Sequence, residues 1–177
     1  MTLSEIRART LEQAGELEPL PGALNEVLLH YINEGINALC PDGALHSMQL
    51  SASGGAATLP EGVLAICSVS DALGRDVPFR ASGSAIYLSP DGAYTARLMI
   101  APTPLLDLSD APALPEAYHG ALADYAAWRL LSTGGRAQQA RAEHYHQAFL
   151  LQKSQYQRHT DAARGPRSRV NKYAQGG

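Results

Sequence analysis

The sequence predicts an α+β fold: a bundle of four helices, two before and two after a small antiparallel β insertion, with an extended C-terminal tail. Three observations predict it. Apolar residues recur at intervals of three and four in two N-terminal and two C-terminal stretches. Residues 44–101 instead run in short apolar or alternating stretches punctuated by Gly, Pro and Asp. The last residues turn basic and polar.

The first helix is expected over about residues 2–17. Thr2-Leu3-Ser4-Glu5 has the capping-box pattern, and Leu3, Ile6, Thr10, Ala14 and Leu17 follow at helical spacing. Pro19 and Pro21 stop it. The second helix, 22–40, carries the clearest periodicity of the chain in Leu24, Leu28, Tyr31, Ile32, Gly35, Ile36 and Leu39. Cys40-Pro41-Asp42-Gly43 ends it.

The β-rich insertion, 44–101, reads as a small antiparallel sheet or sandwich. Ala44–Leu50 is one strand, and Ser51–Ala57 is a flexible loop of small residues. Val63–Ser70 is apolar on both alternations, as a strand covered on both faces would be. Asp71-Ala72-Leu73-Gly74 reads as a turn. Pro90-Asp91-Gly92 separates the runs Ser84–Leu88 and Tyr94–Ala101. Residues 101–115 hold four prolines and read as a stiff connector.

Helices three and four are expected at 115–132 and 136–158, joined by Gly134-Gly135 as a hairpin. The fourth helix carries one stripe of Tyr145, Phe149, Gln152 and Tyr156, and another of Ala137, Ala140, His144, Ala148 and Leu151. Residues 1–158 then form a single domain, and residues 159–177 form an extended basic tail too polar to fold alone.

The composition points to a thin core. Of 177 residues 29 are Ala, against two Phe and one Trp. Alanine favours helix but buries little area, so part of the stability is expected from neighbouring subunits. The net charge of −3 hides a segregation: −8 over residues 1–113 and +5 over 114–177. From Lys153 onward six basic residues face a single acid, Asp161. A segment of this kind is usually an interaction tail, for a nucleic acid, a membrane surface or an acidic protein groove.

Few residues suggest chemistry. Cys40 and Cys67 stand in unrelated contexts, with no CxxC pattern. The N-terminus lacks the apolar core of a signal peptide, and no apolar stretch approaches ~20 residues. His144 and His146 are the nearest thing to a metal motif, but two residues apart on a helix they face nearly opposite ways. His144 is expected to pack within the hairpin and His146 to be solvated. There is no nucleophile elbow around any serine, and no phosphate-binding glycine loop. No catalytic residue, metal or cofactor is therefore expected. Arg158, Arg164, Arg167, Arg169 and Lys172, with Tyr156 and Tyr173 among them, could track a phosphate backbone or order on docking to a partner.

Four segments, taken in order, resemble the head-to-tail adaptor family of tailed phages, also called head–tail connector or head completion proteins. They are LNEVLLHYINEGINALCP at 24–41, ATLPEGVLAICSV at 57–69, LPEAYHGALADYAAWRLL at 114–131 and ARAEHYHQAF at 140–149. The resemblance implies a four-helix adaptor bundle and a non-enzymatic virion protein of the neck, made in the host cytoplasm. It also implies a homo-oligomeric, typically dodecameric ring beneath the portal that extends the DNA channel towards the next tail or neck protein. Genomic DNA would pass through the lumen without sequence-specific binding, and no membrane would be involved. Portal binding would fall on the Gln157–Gly177 stretch, with Arg158, Arg164, Arg167, Arg169, Lys172 and Tyr173 as the candidate residues. The alternatives are another tail ring component (a tail terminator or tail tube) and a small nucleic-acid-binding protein that uses the basic tail.

Overall fold

The structure, a computed structural model, describes residues 1–15 and 22–164. The chain divides into two compact units. One comprises Met1–Pro41 and Pro102–Arg158; the other comprises Asp42–Ala101 and the chain from His159.

The first unit is helical. Helix α1 (Leu3–Ala14) opens on the expected capping box: the Thr2 hydroxyl accepts from the Glu5 N–H, and the Glu5 carboxylate accepts from the Thr2 N–H at 2.8 Å. Gly15, at φ 75°, closes it in the left-handed conformation that glycine adopts at least cost. Leu3, Ile6, Thr10, Leu11 and Ala14 face inward. Helix α2 (Gly22–Leu39) buries Leu28, Ile32, Gly35, Ile36 and Leu39, the stripe its periodicity predicts. After the connector, a 3-10 turn (Glu116–Tyr118) leads into α3 (His119–Leu131) and then α4 (Arg136–Arg164).

Helix α3 is the centre of this unit. Ala121 through Ala127 are buried in unbroken succession, so the helix is enclosed all round and not along one stripe. Helices α1 and α2 each pack closely along α3 and touch each other only slightly. The small residues of α3 and Gly35 of α2 permit this approach. A Cβ placed at Gly35 would lie only 3.2 Å from Tyr125 Cδ1.

The expected four-helix bundle is not what forms. Helix α4 makes no comparably close backbone approach to another helix and meets α3 through the tips of long side chains. Over residues 136–158 its buried positions are Ala142, Phe149 and Tyr156, one row at seven-residue spacing. So narrow a row covers a neighbour along a line and cannot share a core with three other helices. Of the two stripes expected on α4, the Tyr145–Phe149–Gln152–Tyr156 face turns inward. Ala137, Ala140, His144 and Leu151 are exposed. At 29 residues, α4 also runs to Arg164, six residues past its expected end at 158.

Nor is the β part a small insertion in a bundle. It forms two three-stranded antiparallel sheets. The larger has the order β1 (Ala44–Ala52), β6 (Gly92–Ile100), β3 (Val63–Asp71); the smaller has β2 (Ala56–Thr58), β5 (Ala85–Tyr87), β4 (Arg80–Ser82). Strand β1 pairs with β6 without a break from Ala44↔Ile100 to Ala52↔Gly92. Both sheets contribute to one core, with Leu50, Ile66, Val69, Tyr94, Ala96 and Leu98 from the larger and Ala57 and Ile86 from the smaller. Strands that bury apolar side chains against one another in this way need no helix to cover them.

Two local devices set the loops. The Asp91 carboxylate accepts from the Gly54 N–H at 2.9 Å and the Gly55 N–H at 2.6 Å, tying the β1–β2 turn to the β5–β6 turn. Asp71 accepts from the backbone N–H groups of Leu73 and Arg75, both at 2.9 Å, and closes the turn expected there.

Two expectations about the β region fail. The stretch from Ser51 is not a loop throughout, because β1 extends to Ala52 and β2 begins at Ala56. Strand β3 is an edge strand, not one covered on both faces. Its register slips between Val63 and Ala65 and again between Ile66 and Ser68, and Leu64 is left 51% exposed. An apolar run does not reveal such bulges, each of which turns the following side chains to the other face.

Candidate interaction surface

Of the six residues expected to bind a partner, the structure places Arg158 with its surroundings. It is exposed near the end of α4, and its Nε–H donates to the Ser154 carbonyl at 3.3 Å. Arg164 is the last residue of that helix. Arg167, Arg169, Lys172 and Tyr173 lie outside the described residues. Tyr156 does not belong to a basic, base-stacking strip. It is 2% exposed, edge-on to Tyr118 at 5.1 Å between ring centroids.

The histidine pair behaves opposite to expectation. His144 is exposed, whereas His146 is half-buried and stacked on Trp128. Position 146 lies three residues before Phe149, on the row that faces α3, and that spacing was the available signal. Among the described residues no three His, Cys, Asp or Glu side chains cluster to hold a metal ion. No described helix is long and apolar enough to cross a membrane.

Polar groups inside the helical unit are arranged for packing. The buried Asp124 carboxylate accepts from Gln13 Nε2 of α1 and Gln152 Nε2 of α4, each at 2.7 Å. Arg129 of α3 pairs with Glu34 of α2, and its guanidinium lies over the Tyr31 ring at 4.8 Å. The hydrogen bond to Glu34 raises the Arg129 pKa, and burial raises that of Tyr125. Burial likewise pushes the Cys40 thiol up to about 11, while its Sγ donates to the Ile36 carbonyl at 2.9 Å. His119 is buried with Nδ1 2.9 Å from the Met1 amino group and Nε2 2.8 Å from the Leu114 carbonyl oxygen. The ammonium can only donate, so Nε2 carries the ring proton.

The connector holds a feature that its proline content concealed. Leu106 and Leu108 point into solvent, 73% and 53% exposed, on a loop with fixed geometry. Asp110 Oδ2 accepts from the N–H groups of Leu106 and Asp107, both at 2.8 Å. The Asp107 N–H and then the Leu106 N–H hold the Asp110 pKa below the usual carboxylate range. The loop is bolted to α1, because Leu3 N–H donates to the Asp110 carbonyl at 2.7 Å and Ser4 N–H to the Leu108 carbonyl at 3.0 Å. It is also bolted to α2: Asn33 exchanges two hydrogen bonds with the Leu105 backbone, at 2.7 and 3.0 Å. The sequence signal was Leu105-Leu106-Asp107-Leu108, three leucines in a polar, proline-rich stretch.

The chain matches no protein-family profile, and no curated protein matches it in sequence.

Proposed function

We propose that this chain is a non-enzymatic structural protein of a tailed-phage neck, a ring-forming adaptor that fastens to the portal through its basic C-terminal residues and faces the next neck or tail protein. The observation that carries this reading is the succession of the four adaptor-like segments, in order, along α2, the β2–β3 region, α3 and α4. The segregation of charge supports it. The basic residues gather from Lys153 onward, late in α4 and beyond it, and a ring multiplies such a weak contact by avidity. The four-helix bundle is no part of the reading.

Because Tyr156 and Thr160 are buried, the clean test keeps α4 whole and removes residues 165–177. The shortened chain should keep the circular dichroism of the full one and lose co-assembly with the portal protein. Normal assembly of the shortened chain on the portal would overturn the assignment of the tail. Salt-sensitive DNA binding by the full chain, without portal binding, would replace the proposal by the nucleic-acid-binding alternative.

A further inference from the structure

We propose that the Leu106–Leu108 loop of one copy seats in a groove on the β unit of the next copy, forming the contact by which the chain self-associates; this rests on the ring reading above. An exposed leucine is ordinary, but two held out by a braced backbone are not. Seven hydrogen bonds hold residues 105–110 in place before any partner arrives: two to Asn33, two to α1 and three within the loop. A loop already ordered loses little conformational freedom on docking, which is the advantage of preorganisation.

The groove is on the β unit. It has a volume of about 410 Å³ and is lined by Gly55, Pro78, Phe79, Arg80, Tyr87 and Leu88. Tyr87 is 49% exposed along it, and no described side chain fills it. Its walls are mostly apolar, and its size suits a pair of leucine side chains. The charges match as well. Asp107 sits between the two leucines and Arg80 lies on the groove wall; both side chains are exposed, and neither has an ion-pair partner among the described residues.

Leu106 and Leu108 are exposed and the groove is open, and in the ring reading the docking joins one copy to the next. It then runs head to tail, the loop of each copy entering the groove of the next. Head-to-tail contacts of that kind close into a ring where the rotation between copies permits and otherwise continue as a filament. An isologous dimer would instead seat each copy's loop in the other's groove, and a species that stops at the dimer would overturn the head-to-tail docking.

The test uses the full chain, with sedimentation velocity over a range of concentrations. Leu106→Ser combined with Leu108→Ser should weaken self-association about tenfold or more and leave the thermal melt unchanged. Asp107→Arg and Arg80→Glu should each weaken it, and the two together should restore part of it. A second readout uses cysteine pairs. Leu106→Cys mixed with Tyr87→Cys should form a disulfide-linked dimer under mild oxidation, and Leu73→Cys mixed with Tyr87→Cys should not. Self-association untouched by the leucine and charge variants would overturn this docking and leave the ring reading to another surface. A wild-type chain that stays monomeric at its solubility limit, with no dimer from the 106–87 mixture, would overturn the docking as well. Portal co-assembly would then still decide the function.

Discussion

The imidazole of His146 lies flat on the indole of Trp128, with ring centroids 4.1 Å apart and planes inclined by 10°. The Glu143 carboxylate sits one turn earlier on α4, 3.9 Å from His146 Nδ1. This stack joins α4 to α3 where α4 offers few apolar side chains. His146→Ala should therefore lower the unfolding free energy by about 0.5–1.5 kcal/mol. His144→Ala, on the exposed face, should change it by less than ~0.5 kcal/mol. Urea titrations of the two variants side by side would check the ranking, and equal effects would sink it.

Asp124 is the polar joint of the helical unit. Asp124→Ala leaves two glutamine amides with nothing to donate to and should cost about 1–3 kcal/mol. Asp124→Asn should cost less. Its oxygen still accepts, and Gln13 can turn its own amide oxygen, which has no partner among the described residues, towards the new NH₂. Chemical denaturation of both variants checks the order.

Gly35→Ala should destabilise even though alanine is the better helix former. The added Cβ would press on Tyr125, whose ring is held edge-on by Trp128 and Phe149 at 5.2 and 4.9 Å. Overpacking costs about 1–3 kcal/mol against a gain in propensity of about 1 kcal/mol, so a net loss is expected. A rise in melting temperature would count against it.

Acid should loosen two turns. Asp71 is held below the usual carboxylate range first by the Arg75 N–H and then by the Arg75 side chain, and Asp110 by the Asp107 and Leu106 N–H groups. Both folded-state values lie below the unfolded ones. Their stabilisation is therefore present in full above the ordinary aspartate pKa, ~3.9, and is lost as the pH falls below it. Stability measured against pH should decline there in the wild type and less steeply in Asp71→Asn and Asp110→Asn.

Cys40 should resist labelling. A thiol pushed up to about 11 is almost wholly protonated near neutrality, and the side chain is buried. A thiol reagent at pH 8 should modify the half-buried Cys67 first and reach Cys40 only in denaturant. Peptide mapping by mass spectrometry reads the order.

What the sequence made legible was local. The Thr2–Glu5 box, the α2 stripe and the turn at Asp71 depend on residues a few positions apart, and each stands where expected. What it hid depends on partners far along the chain. Periodicity marks the inward face of α4 but does not say how many helices that face will meet, so one row of buried residues passed for a bundle helix. The apolar run of β3 is equally compatible with a central or an edge strand. The Leu106–Leu108 loop was hidden because its brace comes from Asn33 and the start of α1, about 70 and 100 residues away. The arginines beyond Arg164 were legible as a charge pattern alone, and they fall outside the described residues.

Trp128 is the chain's one tryptophan, and it belongs to the helical unit; residues 42–101 contain none. Its fluorescence is a private reporter. It follows the loosening of α3 and α4, whereas the far-ultraviolet signal sums helices and strands. Coincident fluorescence and far-ultraviolet melts would mark one cooperative transition. A lag between them would time the collapse of each unit separately, with no added label.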